Sequence, residues 1–252
     1  MKNFVLALGA CTMMLASCGG NTGNKEKKAD IIEDAKLYPF MLGGIYFFHG
    51  YDGSTSFLNT MAKGQMDSKP GSAGFINELH KIYTEYFYFP FKPEEGAGAR
   101  KTLSDYWEMT DKASFQKEME ILITEGHQNS YQKLANGGKT ADAEDKDRLA
   151  FINAHKNEFS KGGIKAWDIA RYVNNTAMGV AAGYVTQDEA NAMLAKLPAL
   201  AHASYNNWDE YWKAYNLGRK FWGGDKENDA AYDKDVTDMQ QGDYSIYKYM
   251  KW

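Results

Sequence analysis

From Phe75 onward the apolar residues of this chain recur at three- and four-residue steps, a spacing that places them on single faces of helices. Phe75, Ile76, Leu79, Ile82, Tyr83, Tyr86 and Phe87 share one such face and predict a helix that ends before Pro90. Phe115, Met119, Leu122 and Ile123 form a second stripe, with Gly126 where a C-terminal cap is expected. A polar-rich helix is expected over 141–159, closed by Gly162-Gly163, and another from Ile164 to Ala182, ended by Gly183. Thr186-Gln187-Asp188-Glu189 is a capping box, which opens a helix running to about Ala203. Asn207 then caps a helix carrying Trp208, Tyr211, Trp212, Tyr215 and Phe221. The pattern predicts a mainly α fold, a single domain of several packed helices over residues 37–252.

Some segments resist the same reading. The apolar run from Tyr38 to Phe48 fits a buried helix, although periodicity alone does not separate helix from strand in so short a stretch. Pro90, Pro93 and Glu94-Glu95-Gly96-Ala97-Gly98 mark a surface loop or a boundary. The Asp-rich segment from Gly224 to Asp238 reads as loop, and Tyr244 to Trp252 as a strand or a docked extension.

A core large enough for such a fold is available. Of 252 residues 44% are hydrophobic and 25% charged, the profile of a globular chain. The net charge of -4 leaves no basic stripe of the kind that contacts phosphates, so nucleic acid is not an expected partner. The two cysteines, Cys11 and Cys18, both lie near the N-terminus, and the helical region has no thiol. That region therefore cannot form a disulfide, a cysteine nucleophile, a thiolate zinc site or an iron–sulfur cluster.

Lys2, the apolar stretch from Phe4 to Leu15 and the small residues Ala16-Ser17 before Cys18 have the layout of a secretory signal peptide. The apolar run is shorter than the ~20 residues that cross a bilayer. Leu15-Ala16-Ser17-Cys18 resembles the box of bacterial lipoprotein signals. The resemblance implies cleavage after residue 17, acylation of Cys18 and attachment to the membrane through lipid. Residues 1–17 are then a signal peptide, and residues 18–36, polar and Gly/Asn/Lys-rich, a lipidated cysteine and flexible linker. The expected location is the bacterial cell envelope, by resemblance the outer membrane.

The second half carries another resemblance. Gly163-Ile164-Lys165-Ala166-Trp167-Asp168-Ile169-Ala170-Arg171, Gly183-Tyr184-Val185-Thr186 with Glu189-Ala190, Trp208-Asp209-Glu210-Tyr211 and Gly218-Arg219-Lys220-Phe221-Trp222 follow one another in the order seen in the bacterial family called domain of unknown function 1266. Leu103, Trp107 and Glu125-Gly126-His127 also resemble that family's pattern. The similarity covers about residues 100–223 and implies a mostly helical domain. It supplies no activity, and residues 37–99 and the tail fall outside it.

Candidate chemistry within this region is sparse. His127, at a helix end, is the best single acid–base candidate, although a histidine there more often meets free carbonyls and the dipole. Asp168 and Arg171 stand three apart on one helix, and the favoured reading is an ion pair that orients it. Arg219 is placed to meet Asp168 or Glu189 across helices; the alternative has Arg171 and Arg219 converge on a carboxylate or phosphate ligand. None of the five histidines forms a His-Glu-x-x-His pattern, and no Gly-x-Ser-x-Gly, phosphate-loop or dinucleotide fingerprint occurs. No metal or cofactor is expected. Aromatic clusters offer contact surface instead, with Tyr86, Tyr88, Phe89 and Trp208 the candidates, although helical spacing favours a core role for Trp208. The favoured function is a membrane-anchored envelope lipoprotein that binds an envelope protein or glycan. The alternative is an envelope hydrolase-like enzyme with a non-local carboxylate and histidine site.

Overall fold

The computed structural model describes residues 31–49, 64–140, 142–223 and 226–252. The expected signal peptide, Cys18 and the expected linker as far as residue 30 lie outside the described residues, as does Gly224 of the tail. Helices follow one another as α1 (Tyr38–Met41), α2 (Gly44–His49), α3 (Ala73–Phe87), α4 (Gly96–Trp107), α5 (Lys112–Glu125) and α6 (His127–Ala135). After them come α7 (Ala143–Ala154), α8 (Lys165–Ala182), α9 (Gln187–Leu194), α10 (Leu197–Ser204), α11 (Trp208–Trp222) and α12 (Asp229–Gln241). Among the described residues the β pairing is limited to one isolated parallel bridge, Ile32 with Met250.

The ends of these helices follow from local chemistry. Thr186 accepts from the Glu189 amide while Glu189 reaches back to the Thr186 amide, which forms the expected capping box. Asn207 accepts from the Glu210 amide at 2.8 Å and starts α11. At the other ends, Gly183 and Gly223 adopt left-handed backbone, where a side chain would be strained.

Helix α8 is the axis of the fold, packed against α4, α5, α9 and α11. It is buried on nearly every face, with the polar residues Asp168, Arg171, Asn175 and Thr176 enclosed beside its apolar ones. The α8–α11 crossing is close because Gly218 lies against Trp167, where an added Cβ would collide with the tryptophan's own. Two free amides at the α8 N-terminus are satisfied from other helices: Ile164 donates to Gln128 Oε1 at 2.8 Å, and Ala166 to the Tyr205 hydroxyl at 2.9 Å. Buried tyrosines make similar ties, Tyr211 donating to the Leu42 carbonyl and Tyr247 to the Met41 carbonyl. The stripe Trp208, Tyr211, Trp212 and Tyr215 is core, as its spacing predicts.

Several boundaries differ from the sequence expectation. The Tyr38–Phe48 run is buried but forms two short helices, broken where Gly43 packs against Val173 of α8. Gly126 closes α5 and at once opens α6, so His127 begins a helix instead of ending one. The polar helix is shorter, stopping at Ala154. The capping-box helix breaks after Leu194 and restarts with Pro198 in its first turn, where proline's missing amide costs nothing. The Asp-rich tail is not loop from Asp229 on but helix α12, whose apolar face is reduced to Val236 and Met239. Residues 32–36, composed like linker, are docked: Ile32 is buried, its N–H bonds the Tyr249 carbonyl and its carbonyl accepts from Lys251. Tyr244–Trp252 is thus the docked extension, with a short 3-10 turn at Ile246–Lys248.

Candidate functional site

Three of the sequence candidates come together where α5 turns into α6 beside the first turn of α8. Asp168 is buried there and accepts from the His127 amide at 3.1 Å and the Gln128 amide at 2.8 Å, two of the free donors of the α6 N-terminus. Only a glycine fits at 126, because a Cβ would sit 2.6 Å from the Asp168 carboxylate. Arg171 forms a short ion pair with Asp168 and donates to His127 Nδ1 at 2.9 Å. Its guanidinium lies over the Trp167 ring, 4.7 Å from the centroid, with Trp107 at 5.4 Å.

This geometry fixes the protonation states. Because Nδ1 accepts from Arg171, His127 carries its proton on Nε2. Burial, followed by the charges of Arg171 and Arg148, pushes the imidazole down to about 3. Burial also raises the Asp168 carboxyl above its ordinary value, while Arg171 and the two amides oppose the shift. The imidazole is therefore neutral at pH 7 and far from the range of an effective general base. The charged groups of this cluster satisfy one another and the helix end.

The remaining candidates go elsewhere. Arg219 does not meet Asp168 or Glu189: it is buried beside α12, pairs with Asp229 and stacks over Tyr232 at 4.2 Å. Glu189 is at the surface, where its bond to Lys112, then the Thr186 amide, hold it down to about 2. Phe89 and Trp208 are buried, whereas Tyr86 and Tyr88 are half-buried. The Pro90 loop therefore does not present the open aromatic patch that its composition suggests. Among the described residues, no three His, Cys, Asp or Glu side chains gather as a metal site would require, and no helix is long and apolar enough to cross a membrane.

A second site, not legible in the sequence, is a cleft lined by Tyr38, His202 and Trp252. Its volume is about 630 Å³, within the range of small-molecule sites, and three distant segments build it. Residues 32–39 give one wall, the α9–α10 junction with Pro198 and His202 another, and Lys251 and Trp252 the third. The Tyr38 hydroxyl and His202 Nε2 are 2.8 Å apart at its side. Burial pushes the Tyr38 phenol up and the His202 imidazole down, so both are neutral at pH 7. The Trp252 indole N–H donates inward to the Tyr205 carbonyl at 3.3 Å, and the half-buried ring contributes to the wall. At the rim Lys251 pairs with Glu33 at 2.8 Å. Asp34 pairs with His80 at 2.8 Å and accepts from the Lys36 and Leu37 amides.

Comparison with known proteins agrees with the family resemblance that the motifs carry. The uncharacterized protein YbeU of Escherichia coli (strain K12) is 32% identical over 89 residues, 35% of this chain and 35% of its own length. The uncharacterized protein YbeR of the same organism is 25% identical over 132 residues, 48% of this chain and 56% of its own. The chain thus spans about a third and about half of these two relatives. No solved structure matches. The matched family region runs over residues 102–252 and so takes in α12 and the C-terminal segment, beyond the limit at 223 that the motifs suggest. Its residues include Asp168, Arg171, His127, His202 and Trp252, and the chain belongs to the family described as Protein of unknown function (DUF1266).

Proposed function

We propose that this protein is an envelope lipoprotein, anchored in the outer membrane through lipid on Cys18, whose helical domain is a binding module. The observation that carries the binding role is the contrast between its two polar centres. His127, Asp168 and Arg171 are committed to each other and to a helix end, whereas the cleft at Tyr38, His202 and Trp252 is open and walled by rings. A hydrolase would need an accessible acid–base pair tuned near neutrality. At His127 the ring is largely buried and its Nδ1 is already taken by Arg171, which favours binding over that alternative.

The anchor reading rests on Leu15-Ala16-Ser17-Cys18 and the polar stretch behind it. Two or more acyl chains hold a protein stably at a membrane where one does not. Lipidation therefore supplies the whole attachment, and the domain works at the reach of its tether. Expressing the full chain and its Cys18→Ser variant, then fractionating the envelope on a density gradient, tests this. The parent is expected in the outer-membrane fraction and the variant out of it. Equal membrane retention of the two would overturn the anchor.

A further inference from the structure

The cleft continues into a second pocket of about 170 Å³, which shares Ala35, Pro39 and Ala195 with it and adds Lys36, Leu194 and Asn191. The two adjoin through these shared walls and together form a groove in which linked units of a short chain can be seated. Resting on the reading of this domain as a binding module, we propose that the groove binds an oligosaccharide.

Three properties of the walls favour a sugar chain. First, the lining is rings and alkyl surface, from Tyr38, Pro39, Pro198 and Trp252, against which the apolar C–H face of a pyranose packs. Second, the polar groups that face it are those that exchange hydrogen bonds with hydroxyls. They are the Tyr38–His202 pair at 2.8 Å and the Asn191 amide, which is held by the Tyr88 hydroxyl at 3.3 Å. Third, the rim charges of the larger cleft lie in pairs within the protein, Lys251 with Glu33 and Asp34 with His80, and Lys36 adds a cation at the second pocket, so the cleft itself offers rings and hydroxyl partners more than a charged anchor.

An extended peptide suits the groove less well. Peptides that add to a sheet edge need free backbone donors and acceptors. The strand-like segment here has its pairing taken: the Ile32 N–H and carbonyl both bond the C-terminal segment, at 2.8 and 3.1 Å. Recognition in the groove must therefore go through side chains, which is how hydroxyl-rich ligands are held. The same bridge makes the site depend on both ends of the described chain, since Asp34 and Tyr38 follow Ile32 and Trp252 follows Met250.

Titrating the full lipidated chain in lipid nanodiscs with maltotriose, cellotriose and triacetylchitotriose, followed by tryptophan fluorescence and saturation-transfer NMR, tests the proposal. At least one trisaccharide is expected to saturate at concentrations up to about 10 mM, in the weak range typical of a few hydrogen bonds and one stacked ring. Trp252→Ala should weaken binding by about 10-fold or more through loss of the aromatic anchor. Tyr38→Phe, which keeps the ring and its packing, should weaken it by about 2- to 10-fold through loss of one hydrogen bond. Tyr106→Ser, on an exposed side chain elsewhere, should leave it unchanged. Three outcomes would overturn the proposal: no saturable binding of any of the sugars, binding indifferent to both Trp252→Ala and Tyr38→Phe, or saturation by a proline-rich peptide where the sugars fail. In the last case the binding module would stand and the glycan assignment would fall.

Discussion

Replacing Asp168 with Asn perturbs a buried charge that holds two helices together. The carboxylate accepts two amides of the α6 N-terminus and neutralises Arg171, and all of these groups are shielded from water. Asparagine is nearly the same size, so no cavity forms and the loss is electrostatic. It leaves the Arg171 charge buried without its counter-ion and turns a donor toward groups that are themselves donors. Breaking a buried pair from one side costs about 3–5 kcal/mol. For a domain of this size each kcal/mol moves the melting temperature by about 2–4 °C, so the variant should melt roughly 6–20 °C below the parent. The assay is thermal unfolding at pH 7 followed by helical circular dichroism, with urea unfolding as a check. Removing both charges, in Asp168→Leu with Arg171→Met, should recover part of the loss, because an apolar pair carries no desolvation penalty. A melting temperature for Asp168→Asn within about 2 °C of the parent would refute the view that this network orients α6 on α8.

Other perturbations give distinct signatures. Gly126→Ala should destabilise by about 1–3 kcal/mol, since its Cβ would press on Asp168 and the backbone has to shift; a neutral urea midpoint would contradict the packing at the α5–α6 turn. Asn207→Ala should cost about 1 kcal/mol by removing the N-cap of α11, measurable by the same unfolding curves. His127 makes stability depend on pH in a defined direction. Its folded value of about 3 lies below the ordinary 6.5, so the unfolded chain binds the proton more readily. The stabilisation is fully present above about pH 6.5 and is lost as pH falls toward 3, by at most about 5 kcal/mol. His127→Gln, which can still accept from Arg171, should flatten the stability profile between pH 6.5 and 4. Equal slopes for parent and variant would show that the imidazole is not held neutral.

How far these features were legible depended on whether their causes were local. The caps at Thr186 and Asn207 and the stops at Gly183 and Gly223 are written in one to four residues, and the structure forms them as read. The stripe from Trp208 to Tyr215 is likewise a local pattern with a local consequence. Helix α12 was hidden because only Val236 and Met239 of its thirteen residues are buried, so its apolar period is too thin to stand out. The break after Leu194 was missed because Pro198 suits a helix's first turn and does not by itself say that one begins there. The Asp168–Arg171 pair could be seen at i,i+3, but its bonds to the His127 and Gln128 amides span about forty residues. Arg219 found its partner in Asp229, inside a segment that reads as loop. The cleft was invisible because Tyr38, His202 and Trp252 meet only once the segment that begins at Ile32 and the C-terminal segment are docked.

The central claim is that this domain meets its ligand at the cleft and not elsewhere on its surface. A photoactivatable diazirine amino acid placed at Pro198, in the cleft wall, and in separate cells at Tyr106, which is 80% exposed, tests it in the intact envelope. Irradiation should give a covalent envelope adduct from position 198 and none from position 106. Adducts from position 106 with none from position 198 would contradict the account.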